Sequence, residues 1–342
     1  MFEINLENHS SLYPHMQSFI KEREIKGLDC RGDKIMLRNL ERYSVETGYD
    51  KDYITKEHYY RWIESIDGKE SRIFFHNTHF RIFSIYLNDI GHQSYLPVSQ
   101  RRHSGFTPYI YNEDEISRLF FIADNWRDRY LTPDTIALVM PALLRLLYST
   151  GMRIGEAVKI VNTDVDFNKH TILLRKTKNG EQRLCAINSS MEEVLKMYVN
   201  YRNKLPIADV RNPMSPFFCN RRGDRINPLT VRARFLDLLK AAEIGVKENG
   251  YYPRVHDLRH TAAVMAMKKL IAAGKDIYCC LPQIAVYMGH SNPKTSESYL
   301  RLTTSSFPEL LEKSRSDTKL IAEIVNRSLL NIKSNEDEDE GI

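Results

Sequence analysis

"RVHDLRHTAAV", residues 254 to 264, decides how the chain is read, because it gathers two imidazoles and a guanidinium into little more than one turn of a run with helical spacing. His256 lies three residues before Arg259 and four before His260, so the three side chains share one helix face. Two imidazoles at i and i+4 also fit a zinc hydrolase. That motif needs glutamate after the first histidine to activate water, and here the residue is Asp257, one methylene shorter, with no glycine-containing continuation to a third ligand. The zinc reading ranks last.

Working outward, three further stretches place cations or a nucleophile at the ends of expected elements. In "STGMRIGEAVKI", 149 to 160, Arg153 and Glu156 are three apart at a helix start after Gly151. Alone they are a surface ion pair contributing under ~1 kcal/mol. In "HTILLRKTKNGEQRLCAI", 170 to 187, β-branched and aliphatic residues flank Asn179-Gly180, so a hairpin is expected with Lys178 at its tip and Lys176 as a competitor for any role there. In "GHSNPKTSESYL", 289 to 300, a turn at Asn292-Pro293 separates His290 from Tyr299. Tyr299 is one of 19 tyrosines and gains meaning only in company.

A chain of 342 residues, 42% hydrophobic and 27% charged, has the composition of two ordinary globular domains. Residues 333 to 342, "KSNEDEDEGI", hold five acids and one lysine and read as a solvated, disordered tail; without them the net charge rises from +5 to +9. A basic body fits a polyanionic partner through counterion release. Five cysteines, odd in number and without metal-finger spacing, suit a reduced cytoplasm. The N-terminus lacks the pattern of a secretory signal, and the most apolar run, 135 to 149, is broken by Pro141 and Arg145, so it reads as a buried helix rather than a membrane span.

Apolar residues recur at helical spacing from 11 to about 94, enough for four short helices and a domain over 1–95. Pro97, Gly105 and Pro108 mark a linker over 96–111. The second domain opens with Asn112 as N-cap and Glu115 three residues on. Thr132-Pro133 is read as a second helix start. After the hairpin, helices are expected at about 190–203, 228–243, 256–273, 282–288 and 294–302. The fold class is mainly α (α+β), with one small antiparallel sheet.

Taken in order, "TGMRIGEA", "TKNGEQR", "HDLRHT" and "YMGHSNPKTSESYL" resemble the tyrosine recombinases, the integrases of phages and mobile elements, across about 112–305. The resemblance implies a SAM-like helical core-binding domain over 1–95, a catalytic domain over 112–305 and a C-terminal helix over 306–332 exchanged between protomers, followed by the acidic tail at 333–342. Arg153, Lys178, His256, Arg259, His290 and Tyr299 match the six catalytic positions; Glu156 matches the supporting acid, and His260 is assigned with it to orienting the arginines and the helix. The expected partners are double-stranded DNA and further copies of the chain, a tetramer in the synaptic complex, with room for accessory DNA-bending or element-encoded proteins. The expected setting is the bacterial cytoplasm, at the nucleoid.

The chemistry fits these residue types. Exchanging one phosphodiester for another needs an oxygen nucleophile that can later be expelled, and a phenol leaves more readily than an alkoxide. His256 is the candidate base, Arg153 and Arg259 the bidentate clamp on the nonbridging oxygens, His290 a further donor and Lys178 the acid for the departing 5′ oxygen. The implied intermediate is a 3′-phosphotyrosine, formed without metal, ATP or organic cofactor. Arg101, Arg102, Arg221, Arg222, Arg232 and Arg234 are candidate phosphate contacts. A relaxing topoisomerase of related chemistry and a non-catalytic DNA-binding relative are the alternatives.

Overall fold

The computed structural model describes residues 2–68, 70–99, 107–127, 135–175, 182–246 and 250–289, together with Tyr299, Leu302, Thr303 and Phe307. The chain forms two compact units, Met1–Phe106 and Thr107–Ile342.

The first unit is built from α1 (Tyr13–Ile25), α2 (Arg31–Glu46), α3 (Lys56–Glu64) and α4 (Glu70–Asp89). Met16, Met36, Leu40, Trp62, Phe80 and Phe83 are buried between them, and the Trp62 indole donates to Asn39 Oδ1 at 2.9 Å, so its one polar atom is satisfied. Thr55 caps α3 by accepting from His58 N at 3.2 Å. The buried Asp33 carboxylate is held by Arg23 Nε at 2.9 Å and His79 Nδ1 at 2.7 Å. At 20 residues, α4 is longer than the short helix expected, since neither proline nor glycine interrupts it.

The second unit opens with α5 (Glu113–Asn125), capped as expected: Asn112 Oδ1 accepts from Glu115 N at 2.8 Å and Glu115 Oε2 accepts from Asn112 N at 2.9 Å. Tyr109 and Tyr111, inside the stretch read as a linker, pack on this unit. Tyr111 is fully buried and its N–H donates to Thr261 Oγ1 at 3.1 Å. The buried helix read from the apolar run is α6 (Met140–Thr150), with Pro141 in its first turn, where the missing N–H costs nothing. The expected start at Thr132-Pro133 lies outside the described residues.

The sheet is antiparallel in the order β1 (Val165–Asp166), β2 (Thr171–Leu174) and β3 (Arg183–Ala186), with Ile172 opposite Cys185 and Leu174 opposite Arg183. The two-residue β1 carries too little pattern to be seen in the sequence. Ile172, Leu174 and Cys185 face the core while Leu184 faces solvent, the alternation a one-sided sheet requires. Between α6 and β1 comes the single turn α7 (Ile154–Ala157); α8 (Ser189–Arg202), α9 (Pro228–Ala241), α10 (Val255–Ala272) and α11 (Ile277–Met288) follow the sheet.

Helix α10 packs against α6 and α11, which places its histidine and arginine face beside the ends of both. The expected start of α11 at Pro282 is corrected to Ile277: Asp276 caps the helix, accepting from Cys279 N at 3.1 Å, and Pro282 sits inside it. The five cysteines are free. No helix among the described residues is long and apolar enough to cross a membrane.

Candidate active site

Helix α6 ends on Gly151, whose φ of +62° is the left-handed cap that turns the chain sharply toward Arg153. The positive φ favours glycine there, and a Cβ would in addition lie 2.5 Å from Met288 Sδ and require that side chain to shift. Arg153 is then the N-cap of α7 and Glu156 its third residue. Glu156 accepts from Arg153 N at 3.0 Å and from Arg153 Nη1 at 2.8 Å, which fixes both the backbone and the guanidinium of Arg153. Burial pushes the Glu156 carboxyl up, but the two bonds from Arg153 and the charges of Arg183 and Arg153 outweigh it, and its pKa falls below the ordinary value.

Arg259, on the second turn of α10, is 2% exposed. Its Nη1 donates to the Gly151 carbonyl and its Nη2 to the Met288 carbonyl at 2.7 Å, so one guanidinium ties the end of α6 to the end of α11. These bonds use two of five N–H groups. Burial, with Arg153 and Arg183 nearby, lowers its pKa to about 10, which leaves it charged at neutral pH. Among the described residues, the guanidinium groups of Arg153, Arg183 and Arg259 gather about the carboxylate of Glu156. Such an excess of partly buried positive charge favours an anion.

Tyr299 is 1% exposed and packs with Ala263, Val264, Met267 and Met288. Burial raises its phenol pKa, while the charge of Arg259 and a hydrogen bond from it, and the charge of Arg153, pull it back. The nucleophile candidate and the guanidinium pair therefore meet. The His260 ring lies 5.6 Å from the Tyr299 ring and 4.9 Å from the His256 ring, edge to face with the latter. His260 Nδ1 is buried without a hydrogen-bond partner, and burial followed by the His256 charge lowers its pKa to about 3. His256 reaches solvent, yet the protein packed around it and the charges of Arg259, Arg254 and Arg153 push its pKa down to about 4. Water at the exposed edge screens part of that effect, and the consequence is a neutral imidazole at pH 7. No group of three metal-ligating side chains among the described residues includes His256 or His260.

Of the six residues expected to converge, Arg153, His256, Arg259 and Tyr299 lie together, with Glu156 and His260 against them. Lys178, its rival Lys176, and His290 lie outside the described residues, as do Arg101 and Arg102. Arg221, Arg222 and Arg232 are exposed, whereas Arg234 is half-buried, 3.4 Å from Asp237 and stacked over Trp126.

Sequence reasoning missed Arg183. Its Nη1 donates to the Tyr287 carbonyl at 2.9 Å and its Nη2 to Glu156 Oε2 at 3.3 Å, and its stem passes beneath Gly289, where a Cβ would lie 2.8 Å from Nε. The signal was present: Arg183 sits two residues before the buried Cys185, on the inward face of β3. A cation there must have a buried partner. Tyr287 adds a further tie, its hydroxyl donating to the Ser149 carbonyl at 2.6 Å.

The sequence profile described as the Phage integrase family matches residues 111–306. Tyrosine recombinase XerA of Pyrococcus horikoshii is 26% identical over 209 residues, 61% of this chain and 62% of that protein. Tyrosine recombinase XerC of Bacillus subtilis is 28% identical over 209 residues, covering 61% and 60%. The chain thus spans about half to two thirds of the length of the curated relatives it matches. The fold is similar to that of the XerH site-specific recombinase bound to difH substrate, with a TM-score of 0.60 at 17% identity over 81% of this chain and 77% of that one. It is similar also to the Tn1549 transposon integrase in complex with transposon right end DNA, with a TM-score of 0.59 at 14% identity over 87% and 99%. With the profile spanning more than half of its residues, this chain belongs to the phage integrase family of tyrosine recombinases.

Proposed function

We propose that the protein is a site-specific DNA recombinase of a mobile element, cutting and rejoining strands through a 3′-phosphotyrosine at Tyr299. One observation carries this reading: a buried phenol held against a buried arginine that, among the described residues, donates to two backbone carbonyls and to no carboxylate. The scissile phosphate takes the place of that missing anion. Arg259 and Arg153 hold its nonbridging oxygens, His256, neutral in the free protein, accepts the phenol proton, and the Tyr299 oxygen bonds to phosphorus as the 5′ oxygen departs. Burial is the larger cause of the lowered His256 pKa, and the phosphate offsets the smaller part that Arg259, Arg254 and Arg153 contribute, which makes the imidazole a stronger base than those cations alone would leave it. Lys178 protonates the leaving 5′ oxygen, and His290, directly after Gly289 at the end of α11, donates to the phosphate.

XerH is bound to its difH substrate, the Tn1549 integrase to transposon right end DNA, and lambda integrase forms a tetramer bound to a Holliday junction. Duplex DNA and a homotetramer on two sites are accordingly the proposed partners here, with Arg221, Arg222 and Arg232 meeting phosphates.

The test starts from duplexes selected by the full chain out of a random pool, re-made with a nick just downstream of the cleaved phosphate so that the short fragment bearing the freed 5′-hydroxyl diffuses away. The wild-type chain should accumulate a covalent adduct on a denaturing gel, and Tyr299→Phe should form none while binding the intact duplex within about twofold. Adduct in the Phe variant contradicts the assignment. Relaxation of supercoiled plasmid lacking the selected sequence would move the reading to a topoisomerase.

A further inference from the structure

The first unit carries a cluster that strand exchange does not use. His15 is the third residue of α1, Asp52 lies in the connection between α2 and α3, and His92 follows the end of α4. One ligand atom from each comes within 4.8 Å of the other two. The His15 and His92 rings stand edge to face with centroids 4.5 Å apart, and His92 Nδ1 is 3.4 Å from Asp52 Oδ2. That separation is long for an N–H···O hydrogen bond, but it is close to the edge of a tetrahedral ligand set, about 3.3 Å for metal bonds of about 2.0–2.1 Å.

We propose that His15, Asp52 and His92 bind one zinc ion, a site that stands apart from the strand-transfer reading and does not depend on it. Two imidazole nitrogens and a carboxylate oxygen are a borderline donor set that suits Zn²⁺ and not the hard cations Mg²⁺ or Ca²⁺. The His92 backbone is already fixed, its N–H donating to Leu87 O at 2.9 Å and its carbonyl accepting from Ser94 N at 2.9 Å. His15 is carried on a helix, so two of the three ligands start from rigid positions. The Asp52 side chain is 54% exposed and closes the remaining gap by a change of rotamer. A bound ion would join the start of α1, the entry to α3 and the exit of α4, three segments distant in sequence, and so resist separation of the helices at one end of the unit.

The experiment uses the full chain, free of affinity histidines and stripped by chelator, titrated with zinc sulfate against a chromogenic indicator. The site predicts one equivalent that competes with the indicator, and a Kd raised by about tenfold or more in each of His15→Ala, His92→Ala and Asp52→Asn, with His170→Ala unchanged. Zinc should also raise the thermal midpoint of the wild-type chain and leave that of Asp52→Asn where it was, by mass action. Because Asp52 lies at the surface, that variant keeps the fold even if the histidine variants do not. Failure of the wild-type chain to hold an equivalent, or retention of it at unchanged affinity by Asp52→Asn, overturns the site. Neither result bears on Tyr299.

Discussion

Arg259 illustrates how a single side chain can be both structural and chemical. Its guanidinium is buried at the junction of α6, α10 and α11, and the fold supplies two backbone carbonyls in place of a carboxylate. Lysine carries the charge but cannot span both carbonyls and still present a planar fork to phosphate. Arg259→Lys should therefore slow single-turnover cleavage of a selected nicked duplex by about a hundredfold or more, while duplex binding changes by only a few-fold. A rate within a factor of three of wild type would mean that the charge alone suffices. At this scale the sequence was informative wherever partners lie within one helical turn. Arg153 with Glu156, and His256 with Arg259 and His260, could be paired by counting. Arg183 could be marked as an inward-facing cation but not paired, because its partner carbonyl at Tyr287 is 104 residues away.

Among the elements, α11 depends on groups borrowed from elsewhere: Arg259 and Arg183 hold its last carbonyls and Tyr287 reaches back to α6. Arg183→Ala removes one of these ties and loosens Glu156 as well. Cleavage should fall by about tenfold or more with duplex binding retained, and Arg183→Lys should not restore it; a normal rate in the alanine variant would make Arg183 only a packing residue. The first unit has a separate sensitivity. His58 is buried between α2 and α3, hydrogen-bonded to Ser44 Oγ at 3.0 Å and stacked on Tyr49, and burial lowers its pKa to about 4. The unfolded chain takes up a proton near pH 6.5 and the folded chain only near 4, so stability present at neutral pH is lost across that window as pH falls. At pH 5 the loss is about 2 kcal/mol. Thermal melts at pH 7.5 and pH 5 should show a drop that is smaller by about 2 kcal/mol in His58→Gln than in the wild-type chain, the contributions of His256 and His260 being kept in both. Equal drops in both would assign the acid sensitivity to other groups.

For the whole molecule, periodicity and punctuation were enough to foresee a mainly helical fold with one small antiparallel sheet. The cap of α5 was readable because both halves of its hydrogen-bonded exchange are local. The start of α11 was not, since proline marks a first turn more often than an interior. The expected C-terminal helix over 306–332 lies outside the described residues apart from Phe307, and its exchange between protomers remains a proposal. Ending the chain at residue 305 should reduce tetramer formation on paired sites, read by sedimentation, more than it reduces binding of one monomer to one duplex. An undiminished tetramer would place the assembly contacts elsewhere. The central claim is that one phenol among 19 tyrosines attacks phosphorus. Its most direct test is proteolysis of the covalent adduct followed by mass spectrometry of the nucleotide-bearing peptide. The account predicts a single modified residue, Tyr299, linked to a 3′-phosphate with a free 5′-hydroxyl on the other strand end; attachment at any other residue, or to a 5′-phosphate, would contradict it.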